Sequence, residues 1–253
     1  MKFDGIIFDM DGVLVDVSQS YRLAIEKTVN YFLAEYSNII RASQADIKAL
    51  KELPGYNNDW DLSYSLIELL TAGVPRKNFP QKAKGVDKKL RESDKYQKIK
   101  DVFQSYYLGE RLFFSSYNRL APVKYPVGLI YNEPSLLKFS LWKKLSLKYR
   151  LGVATGRPRF EALYALKNLR YLPDYIQETS VITLEDVLRE KPNPEPLITA
   201  KKRMKVQNPI YVGDSINDVL AAKNAEMKCI YVGKSPLGDF QITNVNQLKE
   251  ILL

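Results

Sequence analysis

Short apolar runs, each closed by a polar residue or a glycine, recur along the chain: Gly5 to Asp9, Leu151 to Thr155, Ser180 to Thr183, Pro209 to Gly213 and Cys229 to Gly233. They are rich in β-branched and aromatic residues and short, which predicts buried strands. Helix-like segments alternate with them. Pro134 to Arg150 carries apolar positions at Leu136, Leu137, Phe139, Leu141, Trp142 and Leu145, and Arg159 to Leu169, Asn193 to Met204 and Asp218 to Asn224 follow. Strands alternating with helices predict an α/β fold: a Rossmann-like open parallel sheet with helices on both faces. Chemistry in such sheets gathers at the carboxyl ends of the strands, where Asp9, Thr155 and Asp214 fall.

From Val17 to about Arg119 the alternation stops. Helical spacing covers Tyr21–Tyr36, Gln44–Lys51, Leu62–Leu70 and Lys95–Leu108, with no convincing buried strand between them. This predicts an all-helical domain, residues 17–119, inserted into a core formed by 1–16 and 120–253. Leu120 to Asn132, with Pro122, Pro126 and Gly128, reads as the return linker.

Composition narrows the chemistry. The 253 residues are 45% hydrophobic and 26% charged, ordinary for a globular protein and enough for a full core. No apolar stretch reaches membrane-spanning length, and Met1–Asp4 runs straight into a strand without a signal-peptide pattern, so a cytoplasmic protein with no membrane partner is expected. The single cysteine, Cys229, sits in a strand-like run as a buried structural thiol. There is no histidine. That removes Ser-His-Asp and Cys-His mechanisms and histidine zinc sites together, and leaves carboxylates, hydroxyls, lysine or a hard metal. The net charge of +9 reads as general lysine enrichment or as attraction to a polyanion such as nucleic acid. Acidic residues lie within or directly beside the two densest lysine clusters, Asp87 in Gln81–Lys89 and Asp94 and Asp101 flanking Lys95–Lys100, which favours the first reading.

Four motifs sit at the predicted element ends. Asp9-Met10-Asp11-Gly12 places two carboxylates two residues apart at a strand end, where they repel unless a cation or a shared proton compensates. A hard divalent metal takes oxygen ligands and leaves room for phosphate, and a carboxylate beside it can act as a nucleophile. Alone, the pair is equally a loop acidic pair. Thr155-Gly156-Arg157-Pro158 offers a hydroxyl and backbone N–H groups at a helix start, a phosphate cradle or a simple cap. Arg157 is either a cationic substrate contact or a surface side chain. Lys191, in a proline-rich stretch ending at Pro196, is held rigidly and can neutralise charge building on phosphoryl oxygens, or is one surface lysine among many. Gly213-Asp214-Ser215-Ile216-Asn217-Asp218 brings a further carboxylate to a neighbouring strand end, completing an oxygen-rich metal site.

Phe3 through Asp16 (F-D-G-I-I-F-D-M-D-G-V-L-V-D) resembles the opening signature of the haloacid dehalogenase-like (HAD) superfamily. V-A-T-G-R-P, K-P-x-P and G-D-S-x-x-D resemble its later motifs, in the same order. One class of these proteins, subfamily IA-like, carries a helical cap after the first motif, where the helical insert lies. The resemblance implies Asp9 as nucleophile and Asp11 as general acid/base. It implies Mg²⁺ held by the Asp9 side chain, the Asp11 backbone carbonyl and Asp214. Thr155 and Gly156 would bind the substrate phosphate and Lys191 would neutralise it. Asp218 would bind the metal through water or hold Lys191, with Ser215 and Asn217 in support. Hydrolytic dehalogenases of the family lack the second aspartate, so Asp11 turns the expectation to phosphoryl transfer.

The reaction expected first is hydrolysis of a small phosphorylated metabolite through an aspartyl-phosphate. Phosphosugar mutase chemistry, nucleic-acid-end phosphatase activity and a non-catalytic HAD-fold binding module are the alternatives. The cap segment Gly55–Asp61 suggests specificity, with Asn57, Asn58 and Asp59 as polar contacts and Trp60 or Tyr56 stacking on a ring; the alternative is an Asx-rich turn with a tryptophan anchoring the cap core. Substrate, pathway and oligomeric state are not readable from the sequence.

Overall fold

Six parallel strands form one sheet in a computed structural model of the chain: β1 Gly5–Phe8, β2 Arg150–Ala154, β3 Val181–Ile182, β4 Pro209–Gly213, β5 Lys228–Val232 and β6 Phe240–Ile242. The structure describes residues 2–37, 39–53, 56, 58–235 and 237–253. The strand order is β3-β2-β1-β4-β5-β6. The chain steps outward from β1 to β3, then returns to the other side of β1 to continue through β4. The switch point therefore lies between β1 and β4, the place where such sheets open a crevice. Phe8 registers with Val153 on one side and Val212 on the other, so Asp9, Thr155 and Asp214 leave the sheet at the same end.

The chain divides into two compact units, residues 1–16 with 134–253 and residues 17–133. The second unit consists of α1 Tyr21–Glu35, α2 Gln44–Lys51, α3 Asp59–Thr71, the single-turn helices α4 Phe79–Lys82 and α5 Lys88–Arg91, and α6 Asp94–Tyr117. Ile25, Val29, Leu33, Leu66, Ile67, Leu70, Ile99 and Phe103 are buried in these helices at the 3.6-residue spacing that predicted them. Ser43 and Asp46 form a reciprocal capping box at α2, and the Asn58 Oδ1 accepts the Trp60 and Asp61 N–H groups at the start of α3. The stretch expected as a linker, Leu120–Asn132, groups with this unit. Its Tyr125 carbonyl accepts the Glu110 N–H (3.0 Å).

Helices of the sheet unit are α7 Phe139–Ser146, α8 Arg159–Asn168, α9 Glu195–Met204, α10 Ile216–Asn224 and α11 Leu248–Leu252. Neighbouring β1 residues point to opposite faces. Phe8 meets Trp142 of α7, with ring centroids 5.3 Å apart, while Ile7 joins Leu197, Ala200 and Met204 of α9 and Ala221 and Ala222 of α10 in one core cluster. The expected helix from Pro134 begins at Phe139 instead. Before it, Asp16 N–H donates to the Pro134 carbonyl and Leu136 N–H to the Leu14 carbonyl, so 134–136 runs as extended chain beside 14–16. Cys229 is buried in β5 on the α9–α10 face, and burial pushes its thiol pKa up to about 12, the inert thiol expected.

Candidate active site

Asp9 is fixed at the mouth of the switch point because its N–H continues the ladder to the Val212 carbonyl (2.8 Å). Its carboxylate is nearly buried and Lys191 Nζ lies 2.8 Å from Oδ1. Lys191 is itself held from two further sides, by Asp218 Oδ1 (2.7 Å) and the Tyr211 hydroxyl (3.0 Å). Tyr211 also donates to Asp218 Oδ1 (2.7 Å), and the other Asp218 oxygen accepts from the Ser215 hydroxyl (2.6 Å) and N–H (3.0 Å). Both Asp218 oxygens are thus each filled by two donors. The capping box that starts α10 is the same group that anchors the buried lysine.

The charges do not balance around Asp9. Carboxylate oxygens of Asp9, Asp214 and Asp218 lie within 4.8 Å of one another. Burial, then the Asp218 charge, raises Asp9 to a pKa of about 7 against the opposing pull of Lys191. Burial, with Asp218 and Asp9 beside it, holds the Asp214 pKa well above the usual carboxylate range. Asp218 goes the other way: burial opposes its charge, but Lys191 and the hydrogen bonds of Ser215 and Tyr211 outweigh it. Gly12 sits in the left-handed region (φ +75°) against this cluster. A Cβ built there would stand 1.9 Å from Asp214 Oδ2, so only glycine lets the carboxylate approach.

Asp11 faces a different partner. Arg157 Nε (2.7 Å) and Nη2 (2.5 Å) both reach its Oδ1. The Arg157 side chain is 1% exposed and that of Asp11 33%. Thr155 continues the strand ladder through its N–H to the Ile182 carbonyl (3.0 Å), and its Oγ1 accepts the Arg157 N–H (3.2 Å), which leaves the hydroxyl proton for an outside acceptor. Asn217 Oδ1, in the first turn of α10, is buried without a hydrogen-bond partner among the described residues.

The family model described as haloacid dehalogenase-like hydrolase matches residues 3–226, all of the helical unit and the sheet unit as far as the end of α10. The chain belongs to the haloacid dehalogenase-like hydrolases. Among curated relatives, it is 26% identical over 229 residues to a Phytophthora nicotianae protein named imidazoleglycerol-phosphate dehydratase, covering 87% of this chain and 41% of that protein. The chain thus spans about two fifths of that relative's length. It is 24% identical over 236 residues to phosphoglycolate phosphatase of Escherichia coli strain K12, covering 87% of this chain and 77% of that one. Among solved structures, phosphatase Tt82 from Thermococcus thioreducens superposes with a TM-score of 0.71 at 25% identity, covering 97% of this chain and 98% of that chain.

The donors present in this HAD-like hydrolase fit a hard divalent cation. They are carboxylate oxygens, they crowd at a glycine cradle, and burial leaves Asp9 and Asp214 short of positive charge. Neither histidine nor an exposed thiol competes as ligand.

Sequence reasoning placed Asp9, Asp214, Asp218 and Lys191 in one cluster, and the structure brings them together. It underrated Arg157, treated as a substrate contact or a surface side chain, which is instead buried against Asp11. It missed Tyr211. Tyr211 shares a strand face with Ile7 and Cys229, the face on which α10 packs, and that placement comes from the fold and not from the sequence pattern.

In the helical unit, Gly55 and Asn57 of the suggested specificity segment lie outside the described residues. The remaining side chains are engaged within the unit: Asn58 caps α3, Asp59 pairs with Lys51, and the Tyr56 hydroxyl donates to the Lys84 carbonyl (2.9 Å). Trp60 is buried with Lys100 Nζ 3.9 Å from its ring centroid, and Asp61 accepts from Arg91 Nη2 (2.5 Å) and the Tyr96 hydroxyl (2.6 Å). The geometry is that of an anchored helix start.

Proposed function

We propose that the chain is a magnesium-dependent phosphatase that hydrolyses a small-molecule phosphate monoester through a phosphoryl group carried on Asp9. The observation that supports it most is the held Lys191, 2.8 Å from Asp9 and braced by Asp218 and Tyr211. A lysine fixed in that way neutralises a carboxylate and a phosphoryl group approaching each other, which would otherwise repel. The name of the E. coli relative, phosphoglycolate phosphatase, agrees with a phosphate-ester substrate.

In this reading an Asp9 oxygen forms the bond to phosphorus while the ester P–O bond breaks. The Thr155 hydroxyl and the Gly156 N–H hold the equatorial oxygens, with Lys191 opposite them. The electron pair leaves on the ester oxygen, which takes a proton from Asp11 to depart as the alcohol. Water then attacks phosphorus, returns a proton to Asp11 and frees Asp9 with inorganic phosphate. Mg²⁺ bound by Asp9, Asp214 and the Asp11 carbonyl would supply the remaining positive charge. The helical unit, residues 17–133, is assigned as the cap that would select the substrate.

The test is a panel of phosphate esters with released phosphate measured in Mg²⁺. Turnover is expected to need the cation, to stop with a chelator, and to fall by about 10³-fold or more in Asp9→Asn, as for loss of a covalent nucleophile. Equal rates in Asp9→Asn would sink the reading. Slow phosphate release beside fast isomerisation of a sugar phosphate would replace it with a mutase.

A further inference from the structure

We infer that Arg157 is a positioning residue for Asp11, aiming the carboxyl so that its free oxygen serves the leaving group. This rests on the phosphatase reading above. Three observations carry it. First, Nε and Nη2 of Arg157 converge on a single oxygen, Oδ1, at 2.7 and 2.5 Å. With Oδ1 held by the Nε–H donor and by the charge of the guanidinium beside it, Oδ2 is the oxygen left to carry a proton. Second, the burial is one-sided: the guanidinium is enclosed while Asp11 stays one-third exposed, so the arginine is shut away and the carboxyl is presented. Third, the arginine backbone is tied to the rest of the site. Its N–H donates to Thr155 Oγ1 (3.2 Å) and its carbonyl accepts the Leu184 N–H (3.0 Å) beyond β3. The phosphate-facing hydroxyl and the proton donor are thereby set by one residue.

The consequence is a defined proton path. As the Asp9 oxygen bonds to phosphorus and the ester P–O pair moves onto the leaving oxygen, the proton passes from Asp11 Oδ2 to that oxygen and the alcohol departs. The attacking water later returns its proton to Oδ2, and the net change is ester plus water to alcohol plus phosphate. Without Arg157 the carboxyl rotates and the transfer is misaimed, while attack by Asp9 is untouched.

Leaving-group dependence reads this directly. An alkyl phosphate needs its oxygen protonated, whereas p-nitrophenolate departs with little help. In Arg157→Met, kcat/KM for an alkyl phosphate is expected to fall by about 30-fold or more and for p-nitrophenyl phosphate by no more than about threefold, in line with loss of aimed general acid catalysis. Arg157→Lys, which keeps a buried cation and one donor, should recover part of the alkyl rate and serves as the test variant if the Met protein does not fold. Adding Arg157→Met to Asp11→Asn should cost no more than about threefold further, because both act through one proton. Equal losses on both esters would assign Arg157 to the phosphate or to the fold and overturn the inference, as would multiplicative losses in the double variant. A wild-type protein that cleaves neither ester overturns the phosphatase reading and this inference together. Wild-type turnover with leaving-group-independent losses overturns this inference alone.

Discussion

At the scale of single residues, glycine and tyrosine do as much to build the site as the acids. Gly12 is the sharper case, because its φ of +75° and a 1.9 Å approach from a built Cβ to Asp214 Oδ2 act together. Gly12→Ala is expected to cost roughly 1–3 kcal/mol of backbone strain and to displace Asp214. Calorimetric titration should show Mg²⁺ affinity reduced by at least about tenfold, the range seen when the support of a metal ligand is lost. Unchanged affinity would mean that Asp214 is not a ligand. The five principal polar residues were legible because Asp9, Asp11, Thr155 and Asp214 end or closely follow apolar runs and Lys191 stands in a proline-rich stretch ahead of α9. Arg157 and Tyr211 were not, for different reasons. The Arg157–Asp11 contact joins residues separated by 146 positions, and nothing in T-G-R-P says whether the side chain turns inward or outward. Tyr211 lies in a strand buried on both faces, where the hydrophobic pattern cannot tell which face an aromatic residue takes.

At the scale of elements, strands and helical runs were more legible than termini. β4 matches its apolar run residue for residue, and α2 its helical run. β6 escaped notice because three residues at a sheet edge, one of them an exposed glutamine, carry almost no period. The last long helix of the helical unit was expected to end at Leu108, and a break does occur at Gly109 (φ 72°, ψ 169°), yet helix resumes to Tyr117. The reason is tertiary: a Cβ on Gly109 would lie 2.4 Å from the Gly128 N, so two glycines let chain segments cross where a side chain would part them. The start of α2 offers a pH test. Burial works against the Asp46 charge, but the Arg76 guanidinium (2.6 Å) and the hydrogen bonds from Ser43 outweigh it and hold its pKa below the ordinary value. A folded-state pKa below the unfolded one stabilises the protein above the unfolded value, and that stability drains away as pH falls through the folded value. Asp46→Asn is therefore expected to loosen α2 by about 1 kcal/mol at pH 7, seen as faster amide exchange over Gln44–Lys51. The difference from wild type should close in acid below the ordinary carboxylate pKa. A deficit independent of pH would assign the effect to packing.

At the scale of the whole molecule, the open choice is between a small ester and a nucleic-acid end. A net charge of +9 alone would steer polyanions toward the protein. Its distribution argues otherwise. Within the lysine-rich stretch of the helical unit, Arg91 pairs with Asp61, Lys95 with Glu68 and Lys88 with Glu92, while Lys100 lies over the Trp60 ring. Positive groups matched in this way are neutralised where they stand and offer less charge to a phosphate backbone than the net count implies, and exposed pairs of this kind contribute little to stability either. The expected result is that a phosphorylated oligonucleotide is hydrolysed no faster than the corresponding mononucleotide, measured as kcat/KM at matched Mg²⁺. Salt supplies the second reading. A surface that neutralises backbone phosphates loses affinity with a slope of about −0.9 per contact in log K against log salt. A chain acting on one small dianion should show a slope of about −1 or shallower in kcat/KM, for the same reason of counting contacts. A slope of about −5 or steeper, with preference for the oligonucleotide, would mean that the paired lysines open to a strand and that the natural substrate is a nucleic-acid end.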